Sequence, residues 1–254
     1  MSLKLDFELT PDQQRDMANI PAEAWFSQVR FRNAISPRHP EANTLDANHE
    51  LKRKLMLPWI AARVKGKTVL DLFCANGSFS FEAMLAGAKA VVGLEFNSDR
   101  AKCAQFIAST FAGKGAYRAP RFVVGDVYEL TTIFQEPFDV VLALGGLYHV
   151  PDPPYVLTQI RALTREWLIV QTSSVLSMRG NWAKFIVRHD RTGKGLTSVI
   201  GGRGAWYYTV GCFENMLQHA GFKTVESCRP PFFMRRRFPW YCALANPSTS
   251  PTQP

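Results

Sequence analysis

The stretch Thr68-Val-Leu-Asp-Leu-Phe-Cys-Ala-Asn-Gly-Ser-Phe-Ser80 constrains this chain more than any other. Thr68–Phe73 is an apolar, partly β-branched run, the pattern of a strand covered on both faces. A sharp turn is expected at Asn76-Gly77, then a helix over Phe79–Ala88 that closes at Gly87. A strand ending in a tight turn below a helix N-terminus forms a ligand cradle. Unsatisfied backbone N–H groups and the positive helix end lie at the strand's carboxyl edge. Asp71 would add a charged acceptor.

From Thr68 onward strands and helices alternate. Strands are expected at 68–73, 90–95, 121–124, 138–144 and 167–171, with helices at 79–88, 98–111, near 128–134 and at 154–163. Such alternation implies βαβ units and a mainly parallel sheet. Residues 172–208 break the pattern, and a segment of that length suits a lid or substrate loop. Helix 210–220 and closing strands 223–227 and 241–244 follow. Residues 1–66 form an N-terminal helical extension that covers the cradle. It holds a helix over 11–19, an amphipathic turn at Trp25–Arg32 and a helix over 46–64 that contains Pro58. Residues 67–245 are the main domain, and the Pro/Ser/Thr-rich tail 246–254 is expected to be disordered.

Composition narrows the class. A chain of 254 residues with 46% hydrophobic residues can bury one substantial core. No apolar run is long enough to span a bilayer, and the N-terminus lacks a signal-peptide pattern. The five cysteines have neither metal nor redox spacing, which suits a cytoplasmic, metal-independent protein. A net charge of +9 points to an anionic partner or substrate, and no membrane partner is expected.

Three acids stand at or near successive strand ends: Asp71, Glu95 and Asp126. Ligands of open α/β sheets bind at that edge. Glu95, ending Ala-Val-Val-Gly-Leu-Glu, can accept both hydroxyls of a ribose. Asp126, in Val-Val-Gly-Asp-Val, can accept the exocyclic amine of an adenine. Phe73, Ala75, Asn76, Gly77, Phe96, Val127 and Leu144 complete the candidate cofactor set.

The motifs Val69-Leu-Asp-Leu-Phe-Cys-Ala-Asn-Gly77, Val92-Gly-Leu-Glu-Phe96, Gly125-Asp-Val127 and Phe138-Asp-Val-Val-Leu-Ala-Leu144 stand in the order found in one family. The chain resembles the class I S-adenosylmethionine-dependent methyltransferases over residues 68–244. The resemblance implies a Rossmann-like α/β fold, with a mostly parallel seven-stranded sheet and helices on both faces. It also implies S-adenosyl-L-methionine as cofactor and S-adenosyl-L-homocysteine as product. Phe73 and Ala75 stand where the family often has glycines. A nicotinamide-dependent dehydrogenase would need a fuller glycine fingerprint to pack a pyrophosphate.

After the fourth strand comes Ala143-Leu-Gly-Gly-Leu-Tyr-His-Val-Pro-Asp-Pro153. Gly145 and Gly146 permit close approach, and Tyr148 and His149 are the candidate catalytic pair. Methyl transfer needs an aligned nucleophile and, for an alcohol or amine, a proton acceptor such as an imidazole of pKa ~6.5. Leu-Gly-Gly-Leu-Tyr-His also resembles the bacterial tRNA wobble-uridine carboxymethyltransferases and their relatives. That resemblance implies recognition of a carboxylated cofactor by Tyr148, an upstream lysine and an arginine among Arg235, Arg236 and Arg237. Residues 6–51 contain no lysine, so Arg30 or Arg32 would have to substitute, which favours ordinary methyl transfer.

Substrate contacts are expected from Arg30, Trp182, Arg203, Tyr207, Arg235 and Arg236. Arginines beside aromatic rings can hold a carboxylate, or a phosphate and a stacked base. Three functions therefore stay open. The first is a methyltransferase of a small anionic or aromatic metabolite, and the second a tRNA-modifying methyl- or carboxymethyltransferase. The third is a non-catalytic binding module that retains the fold.

Overall fold

The computed structural model describes residues 3–40, 42–112, 118–175, 180–187, 204–236 and 239–248. The chain divides into two units, Met1–Gly125 and Asp126–Pro254.

The first unit contains β1 (Leu3–Lys4), α1 (Pro11–Asn19), β2 (Val29–Arg30), α2 (Ala42–Val64), β3 (Thr68–Leu72), α3 (Ser78–Leu85), β4 (Ala90–Glu95), α4 (Ser98–Ser109) and β5 (Arg121–Val124). Thr10 and Gln13 form a reciprocal capping box at the start of α1, with Pro11 in the first turn. The amphipathic turn expected at Trp25–Arg32 is instead a 3-10 turn at Ala22–Ala24 followed by β2, which pairs in parallel with β1. Val29 and Phe31 are buried while Arg30 and Arg32 are exposed, so the segment alternates with the period of a strand. The helix expected from residue 46 begins at Ala42, with Pro58 inside it.

A file of aromatic rings joins the N-terminal segment to the domain. Phe31 meets Phe7 at 5.8 Å, Phe7 meets Phe111 at 5.0 Å, Phe111 stacks on Phe81 at 5.7 Å and Phe81 meets Phe122 at 5.5 Å. Strands β3, β4 and β5 pair in parallel in that order. At the end of α3 the N–H of Gly87 donates to Met84 and that of Ala88 to Ala83, at 2.9 and 3.1 Å. Gly87 takes φ 91°, so the helix stops in a Schellman closure where a side chain would be strained.

The second unit contains α5 (Leu130–Ile133), β6 (Phe138–Leu144), α6 (Pro153–Ala162), β7 (Thr164–Ser173), β8 (Ala183–Val187), β9 (Gly204–Tyr208), α7 (Val210–His219), β10 (Phe222–Cys228) and β11 (Trp240–Pro247). The helix expected near 128–134 is shorter. A 3-10 turn at Val127–Glu129, capped by the Asp126 carboxylate on the Tyr128 N–H, precedes the single turn of α5. The expected lid is not structureless, because β8 and β9 form an antiparallel pair within it. The Phe185 ring lies over Gly204, where an added Cβ would approach it to 2.2 Å. Strands β6 and β7 are parallel, whereas β11 runs antiparallel to both β7 and β10. That register sets Cys228 opposite Cys242, a pairing that spacing along the chain does not reveal.

The seven-stranded sheet has the order β10-β11-β7-β6-β3-β4-β5. Its core side chains include Val69, Leu70, Leu72, Val140, Val141, Leu142, Leu168, Ile169 and Val170, all inaccessible. The two faces of these strands are apolar, as the sequence pattern requires of buried parallel strands.

Candidate functional site

In the first unit, the turn after β3 is wound without the glycines expected of such a loop. Phe73 and Ala75 both adopt left-handed backbone, with φ 58° and 51°, and Gly77 follows at φ 80°. The N–H of Cys74 donates to Leu94 at 3.2 Å and that of Gly77 to Cys74 at 2.8 Å. The loop therefore keeps a glycine-type path despite two side chains that disfavour it. Each such residue costs about 1–2 kcal/mol of local strain.

The surroundings hold that conformation in place. Phe122 on β5 is braced by two glycines: an added Cβ would come within 2.6 Å of its ring at both Gly77 and Gly93. The side chain of Asn76 is buried and makes two bonds with the backbone of Ser27. Its Oδ1 accepts from the Ser27 N–H at 3.1 Å, and its Nδ2 donates to the Ser27 carbonyl at 2.7 Å. On α2, Arg53 donates to the Ser78 hydroxyl at 3.1 Å and pairs with Glu82, so the first turn of α3 is also tied to the N-terminal segment.

Glu95 ends β4 and is buried. Its Oε2 accepts from the Ala75 N–H at 2.7 Å, and its Oε1 accepts from the Asn97 N–H at 2.9 Å. Those bonds fix the carboxylate at the strand end and use about half of its roughly four acceptor positions. Next to it, Phe96 leaves 43% of its surface exposed. The donor set thus fits an adenosine: an oriented carboxylate for a ribose diol and an open phenyl ring beside it.

Asp71 differs from expectation. Its carboxyl is buried and accepts from the Ser80 hydroxyl at 2.6 Å, so it braces the first turn of α3 rather than presenting a charge to a ligand. Burial, with the Glu95 carboxylate adding to it, pushes its pKa up to about 7 against the pull of the Ser80 hydrogen bonds. Sequence reasoning also missed His49 on α2, whose Nδ1 lies 3.3 Å from the Ser27 hydroxyl and whose ring lies 4.6 Å from that of Phe26. Burial, then the charges of Lys52 and Arg53, lowers its pKa to about 3, so the ring is neutral at physiological pH.

In the second unit, Asp126 is half-buried, Val127 is buried, and Leu144 is the last residue of β6. Gly145 at φ 100° turns the chain into a 3-10 turn over Leu147–His149. The rings of Tyr148 and His149 lie 4.2 Å apart. His149 Nδ1 lies 3.1 Å from the Gly204 carbonyl. A carbonyl only accepts, so Nδ1 carries the proton of the neutral ring and Nε2 carries its lone pair.

The residues expected to contact substrate are less uniform. Arg30 is exposed on β2 in the first unit. In the second, Trp182 is exposed, Tyr207 lies on β9 opposite Lys184, and Arg236 is exposed. Arg235 donates from Nε to the Pro230 carbonyl at 3.0 Å, which ties the loop 229–236 to itself. Arg203 and Arg237 lie outside the described residues. Arg229, not singled out from sequence, donates from Nη2 to the Ser174 hydroxyl and the Val175 carbonyl at 2.9 and 3.0 Å.

A methyltransferase-domain family model matches residues 63–190, just over half of the chain. Among curated relatives, the chain is 34% identical over 123 residues to the ubiquinone biosynthesis O-methyltransferase of Bordetella bronchiseptica, covering 46% of this chain and 48% of that protein. It is 27% identical over 164 residues to the tRNA U34 carboxymethyltransferase of Pseudomonas paraeruginosa, covering 63% of this chain and 46% of that protein. The chain thus spans about half the length of these relatives. Its fold resembles the N-terminal domain of EvdMO1 solved with S-adenosylhomocysteine bound, with a TM-score of 0.67 at 16% identity over 96% of this chain and 98% of that one. It also resembles magnesium protoporphyrin IX methyltransferase from Synechocystis PCC 6803 with S-adenosylmethionine bound, with a TM-score of 0.61 at 16% identity over 94% and 99%. The strand-turn-helix with Glu95 at the next strand end, the seven-stranded sheet and the matching family model agree, and the chain belongs to the methyltransferase-domain family.

Proposed function

We propose that this chain is an S-adenosylmethionine-dependent methyltransferase of a small anionic or aromatic metabolite. The observation that carries the reading is Glu95, fixed by two backbone N–H groups with acceptor capacity left over. In this reading Glu95 takes the ribose hydroxyls, Phe96 lies along the adenine and Asp126 accepts its amine. The backbone of 73–77 holds the amino-acid end. The N-terminal segment covers the cradle through Ser27 and Arg53. When bound, the cofactor supplies an electrophilic methyl group on a sulfonium. Tyr148 orients the acceptor, and His149 receives the acceptor's proton at Nε2 while Nδ1 stays on the Gly204 carbonyl. Alignment of the nucleophile accounts for most of the acceleration.

Titration calorimetry with S-adenosylhomocysteine tests the shared premise. The parent protein binds, and Glu95→Ala binds roughly 10–100-fold more weakly, the loss expected for one or two hydrogen bonds to a charged group. A parent protein that does not bind would leave only a non-catalytic module.

A second reading, modification of a tRNA wobble uridine, is supported by the likeness to the carboxymethyltransferase over 63% of the chain. Filter binding of bulk tRNA tests it. Specific use of tRNA requires an affinity that falls steeply with salt and a modified nucleoside in the digested product.

A further inference from the structure

The loop Arg229-Pro-Pro-Phe-Phe-Met-Arg-Arg236 carries two aromatic rings to which the reading above gives no role. Phe232 and Phe233 are 80% and 83% exposed, far more than any other large apolar side chain among the described residues. They sit in a 3-10 turn that follows Pro230-Pro231. The turn is braced by the Met234 N–H on the Pro231 carbonyl at 2.8 Å and by Arg235 on the Pro230 carbonyl at 3.0 Å. The Arg235 guanidinium lies 5.8 Å from the Phe232 ring centre. The exposed rings therefore stand on a stiffened turn, among three arginines and no acid.

A second apolar element shares the same base. Arg229 holds Ser174 and Val175, and the Val175 N–H donates to the Tyr208 carbonyl of β9 at 2.8 Å. From that base β8 extends to Val187, which opposes Gly204. Along it Lys184, Phe185, Ile186 and Val187 are all exposed, so both faces of this strand leave the core.

We propose that the 229–236 loop and strand β8 form a peripheral anchor for an anionic lipid bilayer. The rings and aliphatic tips enter the headgroup–acyl boundary, and Arg235, Arg236 and Lys184 meet the lipid phosphates, while Arg229 stays in the base. No helix among the described residues is long and apolar enough to cross a membrane, and a peripheral anchor needs none. Two features favour a bilayer over the other occupants. Ile186 and Val187 have no π face on which a nucleotide base could stack, yet both gain from hydrocarbon. A two-fold contact centred on this loop would set its arginines against the same arginines of the other copy.

Flotation of the full chain with liposomes tests the anchor. Vesicles of phosphatidylcholine with a quarter phosphatidylglycerol carry the protein up the gradient, and pure phosphatidylcholine carries much less. F232S/F233S loses roughly 100-fold in vesicle affinity, and Arg236→Gln roughly 5-fold. Because both rings are exposed, F232S/F233S keeps the parent's melting temperature. If it melts earlier, Phe233→Ser alone serves, with roughly 10-fold expected. Its affinity for S-adenosylhomocysteine is that of the parent, which separates failure of the anchor from failure of the methyltransferase reading. The proposal is overturned if the parent does not float with anionic vesicles, or if the serine variants float as well as the parent. It is equally overturned if the double variant loses tRNA binding or turns a dimer into a monomer in sedimentation while vesicle binding is unchanged.

Discussion

Asn76 and Ser27, 49 positions apart, clasp each other through one side-chain amide and both polar groups of one peptide segment. The clasp joins the cradle loop to the N-terminal segment. Asn76→Ala leaves the half-buried N–H and C=O of Ser27 without the amide, a loss of about 1–2 kcal/mol. Urea denaturation should show that loss, and S-adenosylhomocysteine should bind more weakly to the loosened loop. A variant as stable as the parent would mean that water replaces the amide at no penalty.

Ala75 supports the opposite expectation. Its φ of 51° is strained for an alanine. Ala75→Gly relieves about 1–2 kcal/mol in the folded state and gives back about 0.5–1 kcal/mol in the unfolded chain. The net result is unchanged stability or a gain of up to about 1.5 kcal/mol, whereas Ala75→Val is clearly destabilising. Paired thermal melts of the two variants decide this.

The packing of Phe122 against Gly93 gives a third test. Gly93→Ala would press a methyl group to 2.6 Å from that buried ring and 2.8 Å from the Cys74 sulfur. Overpacking of this kind costs about 1–3 kcal/mol. Adding Phe122→Leu should recover part of the loss through a non-additive coupling that a double-mutant cycle can read.

Asp71 links stability to pH. Its pKa is about 7 in the folded protein against 3.8 for the ordinary group, so between those values the folded state holds the extra proton. The contribution is complete below about pH 4 and is lost as pH rises through 7, so this group makes stability fall with pH over that window. Its neighbours are Ser80, which opposes the shift, and Glu95, which reinforces it. Asp71→Asn keeps an acceptor for the Ser80 hydroxyl, flattens that slope and stabilises the protein at pH 8 by on the order of 2 kcal/mol. Denaturation series at pH 5 and pH 8 on both proteins give the slope directly.

What could be read from sequence follows from how local each signal is. The β3 turn, its helix and the acid at Glu95 are written in adjacent residues, and the structure has them within a residue or two at most boundaries. Val29-Arg-Phe-Arg32 was legible but ambiguous: its apolar members fit a helical face, while its strict alternation belongs to a strand. The β8–β9 pair lacks a clean period because both faces of β8 are exposed, so no buried stripe marks it. The Asn76–Ser27 clasp and the Cys228–Cys242 register depend on distant parts of the chain meeting, and no local pattern encodes them. Gly93 did carry a signal, since a glycine inside a strand marks a close approach. The ring that approaches it, Phe122, lies on the next strand over.

The place of β11 bears on how the molecule is made. Trp240–Pro247 follows every other described strand along the chain, yet it fills an interior slot between β7 and β10. Until it arrives, a nascent chain carries β7 with one open edge, flanked by apolar residues that pair readily with other chains. The arrival of β11 therefore sets when this edge of the sheet becomes safe from aggregation. Release at a stop codon before residue 240 should yield insoluble protein, even though every residue of the cofactor cradle has already been synthesised.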